Sequence, residues 1–460
     1  MPGYLIHHAV SHWADAAPDH PAFRMEGETL SYRELEAASN RLAHALIERG
    51  VRPGDRVGIF MHKSLRLGVA LYGTLKAGGV FVPLDPSLPP ARLGVVIEDC
   101  GIDHLIAGDT TASTVAALPD DARPRVYGVP PLDGLDTVPW EAIDGHESTP
   151  PDLPLIDLDL GYIMYTSGST GRPKGMMHTH RGSLAYARWG ADHVGLGPED
   201  GVASHAPLHF DLSIFDFFST AQAGGTVVLV PEAVTKFPAS FTQTIEREGI
   251  SVVFTVPFTL IEMLERGAMD QRDLSSLRWI LFGGEPFPPK HLRALMTRLP
   301  GVRFTNVYGP AEAPSCTCYD VRQPAEGDET PIPIGTMSRN SRGRIVDEDD
   351  RECATGEAGE LCVQSSTLTR GYWHRPDLNE RVFLERPSDG PFPDVFFRTG
   401  DLVSRGTDGL LHFHGRKDRM VKTRGNRVEL AEVEAALCTH PAVSEAAAFA
   451  VPDEIGRAHV

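Results

Sequence analysis

Residues 165–175 read Tyr-Thr-Ser-Gly-Ser-Thr-Gly-Arg-Pro-Lys-Gly and follow an apolar, strand-like run. Glycines let a backbone approach an anion closely, and hydroxyls and amides donate hydrogen bonds to it. Five hydroxyls (Tyr165, Thr166, Ser167, Ser169 and Thr170) crowd this stretch, and Lys174 adds a positive charge. The expected chemistry is the holding of phosphate. The order is not G-x-x-x-x-G-K-[ST], which argues against a P-loop nucleotide site. A flexible surface turn would not need five hydroxyls directly after a buried strand.

Further motifs follow in a fixed order. Residues 75–85 read Leu-Lys-Ala-Gly-Gly-Val-Phe-Val-Pro-Leu-Asp, 306–312 read Asn-Val-Tyr-Gly-Pro-Ala-Glu, 397–401 read Phe-Arg-Thr-Gly-Asp, and Gly415-Arg416-Lys417-Asp418 closes the series. With the 165–175 loop, this series resembles the adenylate-forming superfamily of acyl-CoA synthetases, luciferases and nonribosomal peptide adenylation domains. The resemblance runs over nearly the whole chain. It implies that a carboxylic acid is joined to the α-phosphate of ATP with release of pyrophosphate, chemistry that needs positioning and cations more than a protein nucleophile.

By the same resemblance, Thr166, Lys174 and Glu312 carry the catalysis, and Glu312 holds Mg²⁺. Thr166, Ser167, Gly168, Ser169, Thr170, Gly171 and Lys174 cradle the ATP phosphates. Tyr308 stacks on adenine against Gly284, Glu285 and Pro286, while Asn306 reads its exocyclic amine. Asp401 accepts from the ribose hydroxyls, and Arg416 contacts the ribose or phosphate region. Two positions depart from the pattern. Ala311 stands where the family usually carries Thr, and a lost hydrogen bond to a charged group costs about 1.5–3 kcal/mol. Pro314 is also unexpected.

Residues 209–215, His-Phe-Asp-Leu-Ser-Ile-Phe, resemble the F-D-x-S motif of the amino-acid-activating members. There the Asp pairs with the substrate ammonium, so Asp211 implies an amine-bearing acid, a buried carboxylate without a cation being costly. The plainer alternative is an Asp that caps a helix, and Asp216 is the second candidate if the register is displaced. The remaining pocket positions carry over to Leu212, Phe215, Thr255, Leu281, Gly283, Val307, Ser315 and Cys316. This lining is mainly apolar, which disfavours a charged side chain on the acid. Gly283 removes bulk where many relatives carry a larger group, which would leave room for a displaced amine or a longer chain. The wording is most similar to freestanding enzymes that load proline or β-amino acids onto the phosphopantetheine arm of a carrier protein. Two other readings stand beside this one: an acyl-CoA ligase of the same fold, and a catalytically weak ATP-binding accessory protein.

These residues must be positioned by an α/β frame. Ser31 and Glu34 have the spacing of a capping box, and Leu35, Leu42 and Leu46 mark one helical face, ended by Gly50 and Pro53. Strand Val57 to Phe60, helix Leu65 to Ala77, strand Val80 to Val82, helix Ala91 to Asp99 and strand His104 to Ala107 alternate as in a parallel sheet. Pro119 to Pro154, rich in Pro, Asp and Gly, is expected to be an irregular surface excursion. Apolar strands resume at Tyr162 to Tyr165, Thr226 to Val230, Val252 to Val256, Trp279 to Phe282 and Arg303 to Val307. The expected fold class is a large N-terminal domain, residues 1–417, of parallel-sheet α/β subdomains plus a β-rich subdomain over about 331–417. Residues 418–460, with Lys422, Gly425, Arg427 and Glu429, resemble the start of the family's small mobile α+β C-terminal domain. Because no closing motif follows, that domain is expected to be truncated, without a counterpart of the family's catalytic lysine.

The bulk numbers fit. The chain has 460 residues, 41% of them hydrophobic and 23% charged, as in multi-unit globular proteins. The net charge of −19 is a poor match for nucleic acid or an anionic membrane. No apolar run is long enough to span a bilayer, and the first residues lack a signal-peptide core, so a cytoplasmic location is expected. The six cysteines are scattered, apart from Cys316 and Cys318, and read as reduced thiols rather than a metal site.

Overall fold

The computed structural model describes residues 3–166, 173–388, 390–418, 420–423, 426–438, 443, 446–452 and 458–459. The phosphate-loop positions Ser167, Gly168, Ser169, Thr170 and Gly171, and Gly425, lie outside the described residues. The chain divides into two compact units, the first made of Met1–Tyr165, Met177–Phe237 and Arg247–Ser251, the second of Thr166–Met176, Pro238–Glu246 and Val252–Val460.

In the first unit, Ser31 caps the helix Tyr32–Glu48. Its hydroxyl accepts from Glu34 N at 3.3 Å, and the Glu34 carboxylate accepts from Ser31 N at 2.8 Å. Leu35, Leu42 and Leu46 are fully buried on that helix, which packs on the helix Leu65–Lys76. Six parallel strands form one sheet in the order Thr137–Val138, Arg125–Tyr127, His104–Ala107, Arg56–Phe60, Val80–Pro83 and Leu160–Thr166. The helix Pro90–Cys100 supplies the crossover between Val80–Pro83 and His104–Ala107. Gly201–Ser204, Thr226–Leu229 and Pro21–Met25 pair in parallel, and Glu28–Ser31 adds an antiparallel edge.

One expectation is corrected. Residues 119–154 are not an irregular excursion: Arg125–Tyr127 and Thr137–Val138 extend the sheet, and Val126, Tyr127 and Val129 are fully buried. Each apolar run is only two or three residues long and is bounded by Pro, Gly or Asp, too short for a period to register.

In the second unit, Val252–Thr255, Trp279–Gly283 and Arg303–Tyr308 are parallel neighbours, extended by antiparallel Thr317–Asp320 and Thr336–Met337. An antiparallel sheet follows, ordered Ser341–Val346, Ala358–Ser365, Asp394–Arg405 and Phe383–Arg386, with Leu411–Arg416 also on Asp394–Arg405. Ala313, Cys316, Ile334, Ile345, Leu361, Val363, Val403 and Leu411 form one buried cluster, so the turn after Tyr308 is packed onto the β-rich sheet. The hairpin Met420–Thr423 with Asn426–Glu429 and the helix Leu430–Cys438 come last among the longer elements. Among the described residues, no helix is long and apolar enough to cross a membrane.

Candidate active site

Glu312 stands on a tightly wound turn after the strand Arg303–Tyr308. At Gly309 a Cβ would meet Ser315 N at 2.5 Å and Ala313 O at 2.6 Å, so only glycine fits there. The turn is pinned from outside. Thr369 N donates to Glu312 O at 2.8 Å, Thr367 Oγ1 to Pro314 O at 3.1 Å, and Ser338 Oγ to Ser315 O at 2.7 Å. Ser315 is held at φ +51°, a conformation non-glycine residues adopt only when their surroundings enforce it. Pro314, the unexpected residue, sits inside this pinned turn.

The Glu312 carboxylate is 1% exposed. Its Oε1 accepts from Tyr372 Oη at 2.5 Å and from Arg427 Nη1 at 3.1 Å, and Oε2 lies 3.4 Å from the same nitrogen. Burial pushes its carboxyl up, but Arg427, Lys174 and the Tyr372 hydroxyl outweigh that and hold it at about 2. Lys174 Nζ lies 3.8 Å from Glu429 Oε1 and 5.2 Å from the centre of the Tyr372 ring, and Arg427 Nη2 lies 3.6 Å from the same Glu429 oxygen. Burial, then the Arg427 charge, push the Lys174 ammonium down, while Glu312 and Glu429 oppose them. Two carboxylates, two cations and a phenol therefore share one desolvated cluster. Such a cluster can bind a highly charged anion by exchanging internal partners for ligand oxygens.

Sequence reasoning missed Tyr372 and gave Arg427 and Glu429 no role at Glu312. Gly371 takes φ +116° beside Tyr372, and Trp373 N donates to Gly175 O at 2.7 Å, placements that no local sequence signal marks. Thr166 Oγ1 is buried without a hydrogen-bond partner among the described residues, an unmet donor next to the loop expected to cradle phosphate.

A second constellation surrounds Asp401, which is 6% exposed. Tyr308 Oη donates to Oδ2 at 2.5 Å and Arg416 Nη1 to Oδ1 at 2.7 Å. Arg416 also grips both oxygens of Asp418 at 2.6 Å and donates to Thr399 O at 3.2 Å. Burial would lower the guanidinium pKa, but the Asp418 and Asp401 carboxylates raise it overall. Asn306 Nδ2 donates to Pro333 O at 2.8 Å. That bond orients the amide and leaves its oxygen as an acceptor, the group an exocyclic amine requires. Gly284, at φ +89°, turns the chain after the strand Trp279–Gly283 into Glu285 and Pro286.

Of the positions expected to line an acid pocket, Thr255, Leu281, Val307, Ser315 and Cys316, in this unit, are all buried. Burial raises the Cys316 thiol pKa, which keeps the group neutral. Gly283 requires a correction. A Cβ there would lie 2.3 Å from Val307 O, so the missing side chain makes way for the neighbouring strand and leaves no room for a displaced amine. In the first unit, Asp211 is half-buried at the head of the short helix Leu212–Ile214 and makes no side-chain cap bond, so the capping alternative fails. Leu212 is half-buried beside it, and Phe215 is fully buried against Gly190. Asp216 is fully buried.

With this geometry in hand, the comparisons are consistent. The family model described as AMP-binding enzyme matches residues 10–373. An L-proline–[L-prolyl-carrier protein] ligase from Pseudomonas fluorescens is 37% identical over 447 residues, covering 97% of this chain and 86% of that protein. A protein of the same name from Streptomyces coelicolor is 37% identical over 446 residues, 93% of this chain and 80% of its own. The solved amide bond synthetase McbA from Marinactinospora thermotolerans superposes with a TM-score of 0.85 at 26% identity, covering 99% of this chain and 87% of that one. The chain belongs to the AMP-binding enzyme family.

Proposed function

We propose that this enzyme activates an amino acid, proline or a close analogue, with ATP and Mg²⁺, and loads it onto the phosphopantetheine thiol of a carrier protein. The observation that carries the reading is the buried, ionised Glu312, held among Lys174, Arg427 and Tyr372 on the turn after the strand Arg303–Tyr308. The proline assignment rests on the names of the two 37%-identical relatives.

In the first step a carboxylate oxygen of the amino acid attacks the α-phosphorus, the bond to the bridging oxygen breaks, and pyrophosphate leaves. In the second, the thiolate attacks the acyl carbon and AMP departs with the anhydride oxygen. The chain's own work is positioning and charge. Lys174 and the Thr166 hydroxyl donate to phosphate oxygens. Asp401 exchanges its Tyr308 or Arg416 donor for ribose hydroxyls, and the Asn306 oxygen accepts from the adenine amine. Asp211 meets the substrate ammonium.

The donor set at Glu312 fits Mg²⁺. Among the described residues, no group of three His, Cys, Asp or Glu forms a metal cage. Magnesium instead suits one hard carboxylate completed by phosphate and water. The Arg427 guanidinium already occupies that carboxylate as a stand-in cation. When bound, the metal would neutralise phosphate charge. Guanidinium and metal then compete for Glu312. Arg427→Ala is expected to lower the Mg²⁺ concentration giving half-maximal pyrophosphate exchange by about tenfold, the worth of one charge-assisted bond. A superimposable Mg²⁺ titration would show that the two do not share the carboxylate.

The direct test is amino-acid-dependent ATP–pyrophosphate exchange over proline, other α-amino acids and β-amino acids, with fatty and aryl acids and added CoA as controls. Exchange with proline and not with the amine-free acids is the expected result. Exchange confined to amine-free acids, or a strict need for CoA, would overturn the proposal.

A further inference from the structure

The segment that carries Asp211 leaves the strand Gly201–Ser204 and passes through the short helix Leu212–Ile214 into the π-helical turn Phe215–Ser219. Its middle is wound on itself: Ser213 Oγ donates to Phe210 O at 2.6 Å and to Leu208 O at 2.9 Å. Its first carbonyls depend on a side chain from elsewhere. Lys63, between the strand Arg56–Phe60 and the helix Leu65–Lys76, is 6% exposed. Its ammonium donates to Ser204 O at 2.6 Å and His205 O at 2.8 Å, the first two carbonyls of the segment. Its own backbone is tied down by Lys63 N donating to Glu232 Oε1 at 3.3 Å.

At the far end stands Asp216, fully buried, with neither carboxylate oxygen partnered among the described residues. A π-helical turn inserts one extra residue and re-aims side chains, and it recurs at functional positions. Here it keeps Asp216 in the interior, where the Lys63 charge is felt. Burial raises the Asp216 carboxyl well above its ordinary value, opposed by the Lys63 charge, while burial lowers the Lys63 ammonium to about 8 against the pull of Asp216 and Glu232. A buried lysine and a buried acid five residues beyond Asp211 have no place in the phosphate or ribose chemistry. A lysine in a core without such a purpose would be a pure desolvation cost.

We propose that Lys63 is the positioning residue of the amino-acid subsite: one ammonium ties down the first carbonyls of the Ser204–Asp216 segment, whose far end carries the buried Asp216, and so fixes the stance of the Asp211 carboxylate. This rests on the reading of Asp211 as the partner of the substrate ammonium.

The test measures KM for the amino acid and for ATP separately, by pyrophosphate exchange on the full chain. Lys63→Met, close in length and uncharged, is expected to raise the amino-acid KM at least about tenfold while the ATP KM changes by less than about twofold. Asp216→Asn, which keeps shape, is expected to raise the same KM alone, and the double variant to cost less than the two single effects combined, because the residues act as one device. Were Lys63→Met to fold poorly, Asp216→Asn decides the matter. Equal shifts in both KM values, or none in either, would overturn the proposal. Asp211→Asn in the same assay separates the failures. If it leaves the amino-acid KM unchanged, the ammonium reading itself is wrong; if it raises that KM while neither Lys63→Met nor Asp216→Asn does, only the clamp is wrong.

Discussion

Glu312→Gln should lower amino-acid-dependent ATP–pyrophosphate exchange by about 10²–10³-fold, the range seen when one preorganised electrostatic group is removed from a reacting centre. The substitution keeps the shape of the side chain, and its amide oxygen can still accept from Tyr372 Oη. What disappears is the negative charge that Arg427, Lys174 and Tyr372 hold ionised down to about 2. Without it the cluster keeps two cations and only Glu429 to balance them, and the hard carboxylate suited to a divalent metal is gone. Exchange within about tenfold of wild type would remove Glu312 from the chemistry.

The same residue makes a statement about stability. Its folded pKa lies below the ordinary 4.5, so its contribution is fully present above that value and is lost as pH falls from there towards 2. Thermal melts of the wild type should therefore lose more between about pH 5 and pH 3 than melts of Glu312→Gln, where this proton linkage is absent. At neutral pH the variant should be the less stable of the two, because a buried ion pair has lost one partner. Parallel acid-side declines would show that Glu312 does not carry the linkage.

Much of this was legible in the chain because the signals are local. Ser31 and Glu34 announce a helix start through spacing alone, and the apolar strands His104–Ala107 and Trp279–Gly283 announce themselves through runs bounded by turns. The turn carrying Glu312 was legible as a motif. Its pinning was not, because Thr367, Thr369 and Ser338 reach it from strands and loops that no short-range rule connects. Tyr372 is the clearest omission. Its hydroxyl matters only because Glu312, sixty residues earlier, lies 2.5 Å away, and nothing in Gly371-Tyr372-Trp373 encodes that distance. Gly283 failed in the opposite direction. A missing side chain reads as space in a sequence, whereas the carbonyl of Val307 fills it across a parallel strand pair. Nothing local marks Lys63 as buried, because its burial depends on the loop after Arg56–Phe60 meeting the end of Gly201–Ser204, strands of two different sheets.

Asp211→Asn carries the other large expectation, and here discrimination is more informative than rate. Asp211 heads a one-turn helix in ordinary right-handed backbone (φ −61°, ψ −26°) without a side-chain cap bond. The turn is held instead by Ser213 and its own backbone bonds. The negative charge of Asp211 is felt by the buried Tyr162 phenol, raised first by burial and then by Asp211. Removing one partner of a desolvated charge pair costs about 2–5 kcal/mol, so kcat/KM for proline should fall about 10²-fold or more with the ATP KM unchanged. Cyclopentanecarboxylate has the ring and the acid of proline but no amine. Wild type should reject it strongly, because accepting it strands a buried carboxylate without a cation. In Asp211→Asn that penalty vanishes, so the preference for proline over the carbocycle should collapse mainly through loss of proline activity. If instead both acids lose equally and the preference survives, the amine is being read by another group.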